Sequence, residues 1–330
     1  MASLVIADLH LTSNPRDEYR FDFLEKTLPA MLRRYKVDEL ILLGDITHQK
    51  DNHGAVLVNR VVNDIKVLSK NVGCVIIDLG NHDYANPQHP FFKFLRHLPG
   101  VRFIHKPTQI QLSIGDCLIL PHTYNYERDW ADIDLKGYKT IFAHNTFAGA
   151  RSEQGDKLDG IPINIFGTVS VVSGDVHVPQ RLSSIEYVGA PYLVNFGDKF
   201  TPRVLLIGND RKRTSITVPG RQKRLIEANG KIVAKNFVYD AGDIVKIRVT
   251  LSEKDQPHWA DIRDTWQKWV QRQKLQLYQI QPVIERQSAH TSQRPAAKRA
   301  DDTATLQAYG KARGLDKATM AIGSRIEKEV

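Results

Sequence analysis

Glu39-Leu40-Ile41-Leu42-Leu43-Gly44-Asp45-Ile46-Thr47-His48 is an aliphatic run that stops on a glycine and then presents a carboxylate and an imidazole. Successive apolar residues without polar alternation read as a strand buried on both faces, the kind found in parallel sheets. The same punctuation recurs outward from this stretch. Residues 3–7 run into Asp8-Leu9-His10, and residues 72–79 run into Gly80-Asn81-His82-Asp83. Further on, residues 139–143 end at His144-Asn145, and residues 168–173 end at Gly174-Asp175-Val176-His177.

Between the early strands lie helical patterns. Residues 20–36 place Phe21, Leu24, Leu28, Met31 and Leu32 on one face, and Val56 to Leu68 is a second amphipathic stretch. Strand, helix, strand, helix, strand is the α/β signature. Shorter, closely spaced strands are expected at 101–105, 109–114, 116–120, 185–188 and 203–207, with part of this half antiparallel. The fold class is α/β, a two-layered β core with helices outside over residues 1–210. No internal repeat is visible.

After Arg211-Lys212-Arg213 the pattern changes to a small basic α+β unit over 211–286. Strands are expected at 231–238, 244–250 and 275–284, with a helix at 256–273. Trp259, Ile262, Trp266, Trp269 and Val270 share one face of that helix and read as core, in preference to a base-stacking surface. Residues 287–300 have linker composition. Short helices are expected in 301–314 and from Asp316, too short to be stable without a docking surface.

The 330 residues are 42% hydrophobic, which excludes wholesale disorder. Cys74 and Cys117 sit in apolar runs and read as buried thiols, suited to a reducing cytoplasm. No signal peptide and no membrane-spanning stretch is apparent. Residues 201–330 carry 25 Lys+Arg against 14 Asp+Glu, whereas residues 1–200 carry 21 against 23. Positive charge confined to the C-terminal part points to a polyanion, nucleic acid first, or to a solvated basic surface. Arg211, Lys212, Arg213, Arg221, Lys223 and Arg224 are the candidate contacts.

In open α/β sheets ligands gather beyond the carboxyl ends of the strands, where all five motifs fall. Carboxylate, imidazole and amide without thiolate suit manganese, iron or zinc better than magnesium or calcium. A two-metal site needs one bridging carboxylate and separate terminal ligands. Asp45 is the natural bridge, with Asp8, His10 and His177 on one ion and Asn81, His144 and Asp175 on the other. His82 is free to donate a hydrogen bond or proton to a phosphate, and Asp83 is placed to fix its tautomer. His48 could reach the phosphate or leaving group, whereas His53 and His122 read as surface-loop histidines.

The ordered set Asp-x-His, Gly-Asp-x-x-His, Gly-Asn-His-Asp, His and Gly-x-x-His resembles the calcineurin-like metallophosphoesterases. His48, where protein phosphatases have Asp-Arg-Gly, resembles the SbcD and meiotic-recombination-eleven DNA nuclease branch. In size the chain is similar to the small subunits of phage recombination nucleases. Tyr187-Val188-Gly189-Ala190-Pro191-Tyr192, Phe196-Gly197-Asp198 and Pro202-Arg203-Val204 look like the hairpin that follows the last motif there. The resemblance implies a metallophosphoesterase β-sandwich, with 211–286 as a DNA-gripping capping domain. It implies two divalent ions, manganese first (magnesium, iron or zinc being alternatives), and 3′→5′ exonuclease and single-strand endonuclease activity in recombination, repair or phage DNA metabolism. The partners it implies are DNA and a coiled-coil ABC-type ATPase like SbcC, docked on the C-terminal helices. It leaves homodimerisation open, and the compartment is the cytoplasm (the host's, if the chain is phage-encoded). The departure is Asp175, where the family has histidine. Two other readings stand beside the nuclease: a phosphatase or phosphodiesterase acting on a small molecule or protein, and a non-catalytic scaffold whose site decayed at Asp175.

Overall fold

Our computed structural model describes residues 2–230 and 238–284. The aliphatic runs become parallel neighbours in one sheet: β1 (Ala2–Ala7), β2 (Glu39–Leu43), β3 (Cys74–Asp78) and β4 (Val101–Ile104). Ala7 pairs with Leu43 and Leu43 with Asp78, so the three strands that precede the first motifs end level with one another. On one face lie α1 (Glu18–Asp22), a π-helical turn (Phe23–Thr27), α2 (Leu28–Tyr35) and α3 (Ala55–Ser69). The amphipathic pattern gives one helix over 20–36, and the structure breaks it at the π turn. Phe21, Leu24, Leu28 and Leu32, with Leu57, Val61, Ile65 and Leu68, pack on Leu4, Leu40, Leu42, Val75 and Ile77.

The second sheet contains β5 (Thr108–Leu112), β6 (Gly115–Leu120), β7 (Thr140–His144), β8 (Ser170–Gly174), β9 (Gln180–Leu182) and β10 (Ile185–Tyr187), with α4 (Tyr126–Asp129) after β6. Its order is β5-β6-β7-β8-β10-β9; the inner four strands are parallel and the two edges antiparallel. The chain then returns to the first sheet as β11 (Arg203–Gly208), antiparallel to β1, and β12 (Arg213–Thr217). Val5, Ile41, Leu43 and Ile76 from one sheet meet Cys117, Ile119, Phe142 and Val172 from the other. Each such side chain contributes about 1.5–3 kcal/mol on burial. This inner layer fixes the two sheets face to face, and with them the strand ends of β1, β2, β3, β7 and β8. Cys117 is buried and Cys74 half-buried, both as free thiols.

A third sheet, in the order β13-β14-β15, comprises β13 (Lys223–Asn229), β14 (Ile244–Leu251) and β15 (Gln276–Ile284). Helix α5 (Trp259–Arg272) covers it, and Ile262, Trp266, Trp269 and Val270 form its core with Ile226, Val245, Ile247 and Val249. The tryptophan face is therefore core, as its spacing predicts. The expected strand at 231–238 lies outside the described residues except for Val238. Strands β12 and β13 were missed because their charged and hydroxyl residues carry little apolar pattern.

The structure locates the basic candidates and corrects the hairpin expectation. Of the six basic candidates, five are held by the protein itself. Arg211 Nε donates to Ile114 O, Arg213 pairs with Glu186 at 3.2 Å, and Arg224 pairs with Asp243 at 3.0 Å. Arg221 donates to Gln276, and the buried Lys223 donates to Val194 O at 2.7 Å. These contacts brace strands, while Arg211 and Arg221 remain exposed. The segment 188–202 is no hairpin but an irregular loop, pinned where Asp198 accepts from the amides of Val194 and Asn195. The chain divides into units Met1–Val283 and Ile284–Val330. The linker and helices expected beyond residue 286 lie outside the described residues. Among the described residues no helix is long and apolar enough to cross a membrane.

Candidate metal centre

The five motifs meet at the level ends of the parallel strands. Asp8, His10, Asp45 and Asp175 all adopt positive φ, at 59°, 43°, 54° and 78°. Such backbone is costly for residues with a Cβ and concentrates at functional sites. Here surrounding bonds enforce it. His10 N donates to Asp45 O at 2.8 Å, Leu11 N to Ile46 O at 2.9 Å and His48 N to Leu11 O at 3.1 Å, joining the first two motif loops. The buried Arg20 donates to His10 O, and the Tyr192 hydroxyl donates to Leu9 O. Gly44 and Gly80 are required by close approach, since a Cβ on Gly44 would collide with the His144 ring and one on Gly80 with the Asp45 carboxylate.

Three sets of potential ligand atoms result, each within 4.8 Å of one another: Asp8, His10 and His177; Asp8, Asp45 and His144; and His10, His48 and His82 above them. Asp45 faces the first two. Its Oδ2 is 3.4 Å from His10 Nε2 and its Oδ1 is 3.3 Å from His144 Nε2. Asn81 Oδ1 lies 3.3 Å from His144 Nε2, and Asp175 Oδ1 lies 3.9 Å from the same nitrogen. Thr146 donates its hydroxyl to the other oxygen of Asp175. All seven expected ligand residues are thus brought into one cluster.

The cluster suits cations. Asp8 Oδ2 is buried without a hydrogen-bond partner among the described residues, and the Nε2 atoms of His10 and His177 face each other at 2.9 Å. Burial pushes the Asp45 carboxyl well above its usual range and the Asp8 carboxyl upward. Burial also opposes a proton on His144, yet Asp45, Asp8 and Asp175 together raise it to about 10. Burial and the neighbouring His177 drive His10 well below its ordinary value. Protons held this way by buried acids are what divalent cations replace on binding.

His48 and His82 stand over this floor. Their rings lie 5.5 Å apart and nearly parallel, and 5.5 and 4.8 Å respectively from the His10 ring. The Asp83 expectation is corrected: its carboxylate accepts from the amides of Asp45 (2.9 Å), Ile46 (2.9 Å) and Gly80 (2.7 Å). Asp83 is a brace for the Asp45 loop. The His82 ring is oriented instead by its Nδ1, 2.6 Å from His48 O.

Two contributors were missed from sequence. Glu153 Oε1 lies 3.0 Å from His177 Nδ1, a carboxylate fixing the far side of a ligating imidazole. Against burial, the adjacent Glu153 carboxylate and Asp8 raise His177 to about 9. Nothing in the polar loop around Glu153 announces it. His122, read as a surface residue, is half-buried at 6.3 Å from the His144 ring and 2.7 Å from the Tyr84 hydroxyl. Its signal was present, because it follows the apolar run of β6 at the same end of the sheet as the other motifs. His53 is also no loop-surface residue; it packs on Phe91 with ring centroids 4.4 Å apart.

Buried carboxylates and imidazoles gathered at the ends of parallel strands, between two packed sheets, define a metal-dependent phosphoesterase. The family model described as calcineurin-like phosphoesterase matches residues 1–179, more than half of the chain, and the chain belongs to that family. No curated protein matches the chain. Among solved structures, a novel archaeal phosphodiesterase is similar at 11% identity with a TM-score of 0.38. A dimetal phosphatase from Danio rerio is similar at 12% identity with a TM-score of 0.39. Each comparison covers 66% of this chain and 99% of the other.

Proposed function

We propose that this phosphoesterase is a manganese-dependent DNA nuclease, a 3′→5′ exonuclease and single-strand endonuclease of recombination, repair or phage DNA metabolism. The observation that carries the reading is the His48–His82 pair above the ligand cluster. Asp8, His10 and His177 would hold one ion and Asn81, His144 and Asp175 the other, with Asp45 shared between them. The ions would supply Lewis-acid stabilisation of charge on the phosphate and activation of the attacking water.

The side chains do the rest. Burial depresses the pKa of both His48 and His82, so each imidazole rests neutral. With Nδ1–H of His82 committed to His48 O, its Nε2 takes a proton once an anionic phosphate offsets the charge. That proton then goes to the leaving oxygen. His48, half-exposed beside it, is placed to bind a non-bridging oxygen. The reading also carries a coiled-coil ATPase partner for residues 287–330.

The test is cleavage of end-labelled duplex and single-stranded DNA with manganese. Loss of His82 as His82→Ala should lower the rate about 10²–10⁴-fold, the usual worth of a general acid. Hydrolysis of a chromogenic phosphodiester without any DNA cleavage would instead establish a small-molecule phosphodiesterase.

A further inference from the structure

Beside the metal centre a cleft of ≈ 760 Å³ opens between separate chain segments. Lys93 comes from the 3-10 helix Phe91–His97 between β3 and β4, His105 and Lys106 from the segment just after β4, and Arg128 from α4. His122 and Thr123 also line it, and they tie it to the centre. His122 N donates to Leu79 O at 2.8 Å, just before Gly80-Asn81, and Thr123 N donates to Asn145 Oδ1 at 3.2 Å, just after His144. Cleft and centre therefore share a wall.

The charge in the cleft is unbalanced. Its carboxylate, Asp129, is occupied by Arg128 at 2.7 Å and by the Thr123 hydroxyl. The ammonium groups of Lys93 and Lys106 make no hydrogen bond or ion pair among the described residues. Cations converging in a concavity focus a positive potential that an anion relieves. Next in the chain after the lining residue Thr123, Tyr124 is 74% exposed, with its ring 4.6 Å from that of His122 and its hydroxyl 3.5 Å from Lys50 Nζ. An exposed aromatic beside cationic groups is the arrangement on which bases stack while phosphates are held.

We propose that this cleft is a phosphate subsite for nucleotide chains: it holds a second phosphate of the substrate whose scissile phosphate lies at the metal centre, while Tyr124 stacks on the adjoining base. The substrate class rests on the nuclease reading, whereas the cleft's preference for a second phosphate can be measured apart from it. Substrates with one phosphate leave the cleft unused.

The test uses the full chain with manganese and p-nitrophenyl esters of thymidine phosphate, 5′- and 3′-linked, each with and without one further nucleotide. In wild type, one extended ester should show a KM about tenfold lower than its short counterpart, the worth of a charge-assisted phosphate contact. Lys93→Ala/Lys106→Ala should abolish that difference by raising KM on the extended ester alone. Tyr124→Ala should raise it several-fold in the same selective way. Equal KM values in wild type, or a double variant that keeps the difference, would overturn the subsite. DNA cleavage is scored separately: a preserved KM difference without DNA cleavage keeps the subsite and discards the nuclease reading, while DNA cleavage without the difference does the reverse.

Discussion

The strand ends that carry the ligand cluster and the three-stranded sheet under α5 both bury large side chains, with opposite consequences. At the strand ends Asp8, Asp45, Asp83 and His144 are almost fully enclosed. Enclosing charge costs free energy unless it is paired, so this region is a standing cost that cations offset. Under α5 the enclosed groups are Trp266, Ile262, Val245 and Ile247, whose burial is itself the stabilisation. The family's chemistry sits where burial is unfavourable, on backbone held in the left-handed region. The sheet under α5 obeys ordinary packing rules.

The contrast breaks most visibly at Asp45. Asp45→Asn should lower phosphodiester hydrolysis by about 10³-fold, comparable to losing a major electrostatic element of an active site. In chelator the same variant should unfold at the same temperature as wild type or higher, because the raised pKa of this buried carboxyl is a cost to the fold that a neutral amide does not carry. Activity within tenfold of wild type, or clear destabilisation in chelator, would show that Asp45 is a structural residue. Trp266→Ala is the mirror experiment. It empties a fully buried indole site and breaks the bond from its Nε1 to Gly230 O at 3.0 Å. It should cost about 3–5 kcal/mol in denaturant unfolding, with or without chelator.

The same contrast explains what the sequence made legible. The ligand set can be read because each member adjoins a continuous apolar run, and buried parallel strands leave that local mark. Asp83 was placed correctly but given the wrong task, since its three amide partners come from the turns at 45–46 and 80, which only the fold brings together. Glu153 and Arg20 reach their partners across 24 and 10 positions through loops without periodicity. Under α5 the helix was legible from its tryptophan stripe. Strand β13 was hidden because Lys223-Arg224-Leu225-Ile226-Glu227 mixes charge with few apolar residues.

Glu153 extends the costly region outward. Glu153→Gln keeps the size but loses the charge 3.0 Å from His177 Nδ1. Partners of ligating imidazoles are worth about 10–100-fold in metal affinity, so manganese titration of activity should shift by that factor with maximal rate largely kept. An unchanged titration would remove Glu153 from the centre.

Lys223 blurs the comparison, because it is a charge buried on the apolar side. It reaches from β13 to Val194 O, among the rings of Tyr19, Phe196 and Tyr278. Burial and Arg20 lower its pKa to about 8, against the opposing pull of Asp17 and Asp198. The sign follows. Between pH 8 and the unfolded value near 10.5 the unfolded chain binds more protons, so this group adds stability as pH rises. Relative to Lys223→Met, wild type should therefore gain about 1–2 kcal/mol from pH 7 to 9.5, read as unfolding midpoints. A flat difference would mean that the ammonium stays charged in its ring cage.

The smallest expected effect tests the one ligand position that departs from the family pattern. Asp175 presents one oxygen toward His144, 3.9 Å away, while Thr146 holds the other. A carboxylate there favours manganese and magnesium over zinc, because oxygen donors suit harder ions and imidazole suits zinc. Asp175→His should shift the ratio of zinc to manganese affinity upward by up to about tenfold, with activity in manganese changed less than that. Because the variant also loses the Thr146 bond, Thr146→Val is the needed partner. If Thr146→Val alone reproduces the shift, the orientation of the carboxylate sets the preference; if it does not, the donor atom does. Loss of all activity in Asp175→His with metal still bound would mark the aspartate as an adapted ligand and argue against a decayed site, since a scaffold would have no reason to depend on it.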